Sequence, residues 1–175
     1  MLVLGDGGFG LMHAWLLALR GVRPVLAGRH DERLEIARAF GVQEIVNSRK
    51  ADVRDVILAL TDERGADALV ECTGVQEVWE SAPSLVRRGG TVSFFGGLPS
   101  NARVCFSAAR LHYDEVRLIS PFHFRPASVK RAYTLLTSGD VDPRPLLTGT
   151  APLTQIATVF EKLDNGAGIK YAIEP

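Results

Sequence analysis

The 175-residue chain predicts an α/β fold: a doubly wound parallel six-stranded sheet with helices on both faces, plus a short C-terminal helix–strand tail. Two observations carry that expectation. Apolar runs of strand length alternate with helix-length segments along most of the chain, the pattern of parallel strands joined by crossover helices. The first run, Met1-Leu2-Val3-Leu4, leads directly into Gly5-Asp6-Gly7-Gly8-Phe9-Gly10, a Gly-x-Gly-x-x-Gly turn that opens a helix. A glycine triad means little alone, but strand, glycine turn and helix in succession mark a Rossmann-type dinucleotide-binding unit. Gly5 permits the tight turn, Gly7 lets backbone approach a pyrophosphate, and Gly10 lets helix and sheet pack closely. The helix N-terminus adds N–H groups and the positive end of a dipole, both suited to phosphate.

The elements follow in order. Residues 11–19 read as a helix that is apolar on nearly every side, and residues 23–28 as strand two. Residues 31–40 form a helix with Asp31 placed at its N-cap, Leu34, Ile36 and Ala37 on its buried side, and Gly41 closing it. Strand three spans 44–47. An amphipathic helix over 52–63 turns Val53, Val56, Ile57 and Leu60 inward. Strand four covers 66–72, followed by Thr73-Gly74 and a helix to about Val86. Arg88-Gly89-Gly90 turns into strand five (91–95), which ends at Gly96-Gly97. A short extended piece (103–106) precedes strand six (116–120). Beyond it the alternation weakens: a helix at 127–138, Pro143 and Pro145 as breakers, a helix at 154–163 and a last strand at 168–174. The expected division is therefore a dinucleotide-binding domain over 1–140 and a tail over 141–175.

Bulk properties exclude several classes. Twenty basic residues balance twenty acidic ones, so no net field favours nucleic acid or an anionic membrane. No apolar stretch approaches the roughly 20 residues of a membrane span, and no signal-peptide pattern opens the chain. The expectation is a cytoplasmic protein with no nucleic-acid or membrane partner. Cys72 and Cys105 lie far apart and show no zinc-site spacing, and none of His13, His30, His112 and His123 has a second ligand at metal spacing. No metal site is expected in this chain. His13 reads as structural, and His112 and His123 as structural or cleft-lining.

Several stretches resemble the medium-chain, zinc-type alcohol dehydrogenases. They are Gly5-Asp6-Gly7-Gly8-Phe9-Gly10-Leu11, Glu32-Arg33-Leu34-Glu35-Ile36-Ala37, Glu71-Cys72-Thr73-Gly74, Arg88-Gly89-Gly90-Thr91-Val92 and Gly168-Ile169-Lys170-Tyr171, in order over essentially the whole chain. Leu111-His112-Tyr113 and Ser120-Pro121-Phe122-His123 look most like the sorbitol, polyol and threonine dehydrogenase branch. The resemblance implies the cofactor-binding half of an alcohol or polyol dehydrogenase, inactive alone. The catalytic zinc then belongs to the full-length parent, whose zinc-ligand domain has no counterpart here. Met1 stands at the first cofactor-domain strand, which suggests a truncated chain or gene fragment, its tail completing the absent domain. The alternative is a stand-alone, non-catalytic dinucleotide-sensing or interaction module. A methyl transferase is a third class, disfavoured because it normally needs an acidic residue at the end of strand two.

The resemblance also implies site residues. The Gly7, Gly8 and Phe9 backbone wraps the pyrophosphate, Thr73 and Gly74 border the cleft, and Phe95, Gly96, Ser120 and Phe122 flank the nicotinamide; in the opposing reading Phe95 and Phe122 are simply core residues. The cofactor choice rests on the end of strand two, where NAD enzymes hold a carboxylate against the ribose 2′-hydroxyl. Gly28 stands there, followed by Arg29, whose guanidinium suits a 2′-phosphate, and Arg33 offers a second cation. NADP is therefore expected over NAD; in the opposing reading Arg29 is a solvated surface residue and Asp31 reaches the ribose. The family also implies a homodimer through the edge segment bounded by Ala102 and Phe106.

Overall fold

The computed structural model describes all 175 residues. Six strands, β1 (Leu2–Leu4), β2 (Val25–Gly28), β3 (Glu44–Asn47), β4 (Ala66–Glu71), β5 (Val86–Phe94) and β6 (Arg117–Ile119), form one sheet. Its order is β3-β2-β1-β4-β5-β6, and every pairing is parallel. β1 and β2 are buried along their whole length, which is why they read as continuous apolar runs and not as alternating ones. The connections are α1 (Gly8–Leu19), α2 (Asp31–Ala39), α3 (Val53–Leu60) and α4 (Gln76–Ser81), the last continued by a 3₁₀ turn at Ala82–Leu85, followed by α5 (Ala108–His112).

Packing follows the apolar pattern. α1 buries Leu11, Ala14 and Trp15, and the Trp15 ring stacks on Phe40 with centroids 4.4 Å apart. α3 is capped by Asp52, whose carboxylate accepts from the Arg54 backbone N–H at 2.7 Å. Ile57 is fully buried, and Val53, Val56 and Leu60 pack against the same core. The strand order reverses between β1 and β4, so the crevice beyond their C-terminal ends is the topological switch point.

Local departures from the sequence reading have physical causes. His30, not Asp31, is the N-cap of α2; Asp31 lies inside the first turn and accepts from Lys50 Nζ and Asn47 Nδ2, each at 2.7 Å. These two bonds hold the Asp31 carboxyl below the usual carboxylate range, Lys50 first. β5 begins at Val86 and carries Arg88-Gly89-Gly90 within the strand, where a shift in register against β4 absorbs the glycines. Helix α5 was not foreseen. Residues 102–107 form no strand, and Gln76 Nε2 donates to Arg103 O at 2.9 Å while Cys105 N donates to Glu80 Oε1 at 3.1 Å.

The chain divides into two compact units, Met1–Phe122 and His123–Pro175, where the sequence reading set its boundary at 140/141. The second unit holds α6 (Pro126–Thr137), β7 (Leu147–Pro152), α7 (Ile156–Asp164) and β8 (Lys170–Glu174). β7 pairs with β8 in parallel. β7 was missed because Gly149 and Pro152 interrupt a strand with two threonines.

Candidate functional site

The crevice is built from three glycine contacts that no side chain could enter. Gly5 has φ +111°, and a Cβ there would meet Thr73 Cγ2 at 3.2 Å. A Cβ on Gly10 would lie 2.8 Å from Gly5 C and closer still to Gly5 O, so α1 rests directly on the end of β1. A Cβ on Gly96 would sit 2.8 Å from Glu71 Oε2 and 3.0 Å from Cys72 C, which brings the loop after β5 onto the loop after β4. Gly7 differs: a Cβ there would meet nothing within 4 Å, so the backbone at the N-cap of α1 borders open space. No side chain caps α1. At Gly7, the position assigned to phosphate approach, the missing side chain thus leaves room and not a contact.

Glu71 underlies the second wall. It is fully buried at the end of β4, and its Oε1 accepts from Thr73 N at 2.5 Å, from the Thr73 hydroxyl, and from Gly74 N at 3.2 Å. Its backbone carbonyl accepts from Phe95 N and Gly96 N at 2.9 and 2.8 Å. One residue therefore gathers Thr73, Gly74, Phe95 and Gly96, four positions that the sequence reading placed at the cleft. The signal was a carboxylate at the end of an apolar strand run, where an unpaired charge would be costly.

An aromatic cluster lies beside this wall. Phe9 and Phe95 approach with ring centroids 5.2 Å apart, and the His13 ring meets Phe95 edge-on at 4.6 Å. Phe9 is 57% exposed and Phe95 38%, so this cluster presents apolar surface at the crevice and does not fill the core. His13 Nδ1 lies 2.8 Å from Phe9 O and 3.7 Å from Cys72 Sγ. Burial pushes the Cys72 thiol up to about 12, with Glu71 adding to the shift, so it is a neutral neighbour and not a nucleophile. His13, read as structural from its place one turn into α1, is a member of this cluster. Ser120 follows β6 and donates from Oγ to Phe94 O at 3.3 Å, while Phe122 is 86% exposed at the end of the first unit.

The end of β2 holds the least foreseen feature. Asp6, the second residue of the glycine turn, is buried, and its Oδ2 accepts from Arg29 N and His30 N at 2.7 Å each. His30 Nδ1 lies 3.0 Å from the same oxygen, and Arg33 NH1 stands 3.9 Å from Oδ1. Arg33 is therefore drawn towards Asp6, whereas the Arg29 side chain is exposed. An aspartate inside a glycine turn was the available signal. No group of three or more His, Cys, Asp or Glu side chains is placed to hold a metal ion.

With this geometry in hand, comparisons with known proteins converge. Residues 8–138 match the family model described as zinc-binding dehydrogenase. D-arabinitol dehydrogenase 1 of Uromyces fabae is 30% identical over 99% of this chain and 51% of its own length. Sorbitol dehydrogenase of Halalkalibacterium halodurans is 23% identical over 100% of this chain and 51% of its own. Among solved structures, an NADP-bound protein assigned as a zinc-binding dehydrogenase from Sinorhizobium meliloti 1021 superposes with a TM-score of 0.91 at 25% identity. That match covers 99% of this chain and 52% of that one. The chain spans about half the length of the curated relatives it matches.

Proposed function

Because this chain belongs to the zinc-binding dehydrogenase family, we propose that it is the nicotinamide-dinucleotide-binding portion of an alcohol or polyol dehydrogenase. The observation that carries the reading is the switch-point crevice, with open space at Gly7 against an uncapped 12-residue helix. The bound nicotinamide supplies the hydride acceptor or donor. The residues of this chain hold and orient it. The Gly7, Gly8 and Phe9 backbone receives the pyrophosphate, and Thr73, Gly74 and Gly96, fastened by Glu71, form the opposite wall. Phe9, Phe95, Ser120 and Phe122 exclude water around the ring. A catalytic zinc belongs to the parent enzyme, and this chain alone binds cofactor without turning over substrate. The polyol branch is favoured by the sorbitol and arabinitol relatives.

NADP is the favoured cofactor. β2 ends in Gly28, and the exposed Arg29 guanidinium supplies a fork for a 2′-phosphate. The NADP carried by the Sinorhizobium neighbour supports the choice. The sequence-level division into a binding domain over 1–140 and a tail over 141–175 belongs to the same reading, with the tail completing the substrate domain of the parent. Assembly is a homodimer through residues 102–106, tested by mass in solution before and after Val104→Pro. The cofactor reading is tested by titrating NADPH and NADH against the purified chain and its Arg29→Ala variant. The expected result is tighter NADPH binding that falls about tenfold in the variant, with NADH unchanged. Equal binding of the two nucleotides, untouched by Arg29→Ala, would refute the NADP assignment.

A further inference from the structure

We propose that Asp6 is the specificity-determining positioning residue of the adenosine end: it keeps position 28 free of any side chain and sets which arginine meets the 2′-substituent. This rests on the cofactor reading above and extends it to a residue in the glycine turn itself.

The steric half stands on distances. A Cβ at position 28 would lie 2.5 Å from Asp6 Oδ2 and 2.6 Å from Asp6 Cγ, and nearer still to Asp6 Cβ. The nearest atom is next to the main chain and not at the end of a flexible group, so a rotamer change cannot relieve the overlap. Gly28 has no positive φ to explain its identity. It is glycine because Asp6 occupies the volume. The carboxylate that other dinucleotide folds carry on strand two is therefore excluded by a carboxylate reaching across from β1.

The electrostatic half follows from what Asp6 holds. Its oxygens accept from the Arg29 and His30 backbone N–H groups, shaping the turn after β2, and hold Arg33 NH1 at 3.9 Å. Arg33 is only 17% exposed, whereas the Arg29 side chain projects into solvent. Asp6 thus engages one arginine and leaves the other to the ligand. It also places a buried negative charge near any 2′-phosphate. The consequence is a tempered NADP preference, with a carboxylate opposing the phosphate that Arg29 attracts.

Two measurements test the halves separately, both on the full chain. The first is titration of Asp6→Asn with NADPH and NADH. Its amide oxygen still accepts from the turn backbone, but the charge is gone and with it the Asp6–Arg33 ion pair. The ratio of the NADH to the NADPH dissociation constant should rise about tenfold, through NADPH alone, and adding Arg33→Ala should take back only the share of that gain that Arg33 supplies. A purely structural role would weaken both nucleotides together and leave the ratio unchanged, which would overturn this half. The second is a thermal-unfolding cycle of Gly28→Ala in the native chain and in Asp6→Gly. Gly28→Ala should lower the Tm by roughly 3–10 °C with Asp6 present and leave it unchanged or raised with Gly at position 6. Equal shifts in both backgrounds would overturn the steric half. If neither nucleotide binds the native chain, the cofactor reading and the charge half fall together, while the thermal cycle still decides the steric claim.

Discussion

Replacing Gly10 by alanine would place a Cβ 2.8 Å from Gly5 C and nearer to Gly5 O, where ordinary contact begins at 3.4 Å. Both opposing atoms are backbone, and Gly5 is itself held at φ +111°, so α1 must retreat from the end of β1. Overpacking of this kind costs about 3 kcal/mol. Alanine recovers about 1 kcal/mol through helix propensity and a less flexible unfolded chain. The clash wins, leaving a net loss of about 2 kcal/mol, which lowers the Tm of a chain this size by roughly 4–8 °C. Gly7→Ala is the control three residues away. Its φ of −76° and ψ of 177° suit alanine, and its Cβ would touch nothing within 4 Å, so the Tm should stay within about 2 °C. That Cβ instead occupies the space assigned to pyrophosphate, and dinucleotide affinity should fall about tenfold or more. Differential scanning calorimetry and nucleotide titration on the two variants read the separation. A Gly10→Ala chain as stable as the native one, or a Gly7→Ala chain that binds as tightly, would refute the reasoning.

The remaining predictions concern the wall and the two thiols. Glu71→Ala should cost roughly 2–3 kcal/mol by leaving the Thr73 and Gly74 donors without their acceptor, read by urea unfolding, and should weaken both nucleotides equally. An unchanged midpoint would mean that Glu71 does not fasten the wall. At pH 8, iodoacetamide should label the exposed Cys105 and spare Cys72 until the chain unfolds; rapid double labelling would contradict the burial of Cys72. The folded Cys72 pKa, about 12, lies above its ordinary value of 9.0, so the unfolded chain loses this proton first. Stability from this group is fully present below pH 9 and falls towards pH 12, and Cys72→Ala should flatten that decline in alkaline unfolding curves.

Much of the fold was legible because its signals are local. Continuous apolar runs such as Leu2 to Leu4 identify strands buried on both faces, and Asp52 with the inward Val53, Val56, Ile57 and Leu60 marks α3. β7 escaped because its strand character comes from pairing with β8 and is masked locally by Gly149 and Pro152. The glycine-rich start of β5 escaped for a related reason, since its register shift against β4 is a tertiary event. The site divides in the same way. The glycine turn announces itself by spacing and Glu71 by a carboxylate that ends an apolar run and bonds the next turn, but the partners of Asp6 lie across strands. Asp6 bonds residues more than twenty positions away, and only the folded sheet brings them together.

The most direct test of the central claim is a crystal structure of the chain with NADPH bound. The pyrophosphate oxygens should lie within hydrogen-bonding distance of the Gly8 and Phe9 backbone N–H groups, the 2′-phosphate on Arg29, and the nicotinamide against Phe95. Nucleotide lying away from the β1–β4 crevice, or density for none at saturating concentration, would contradict it.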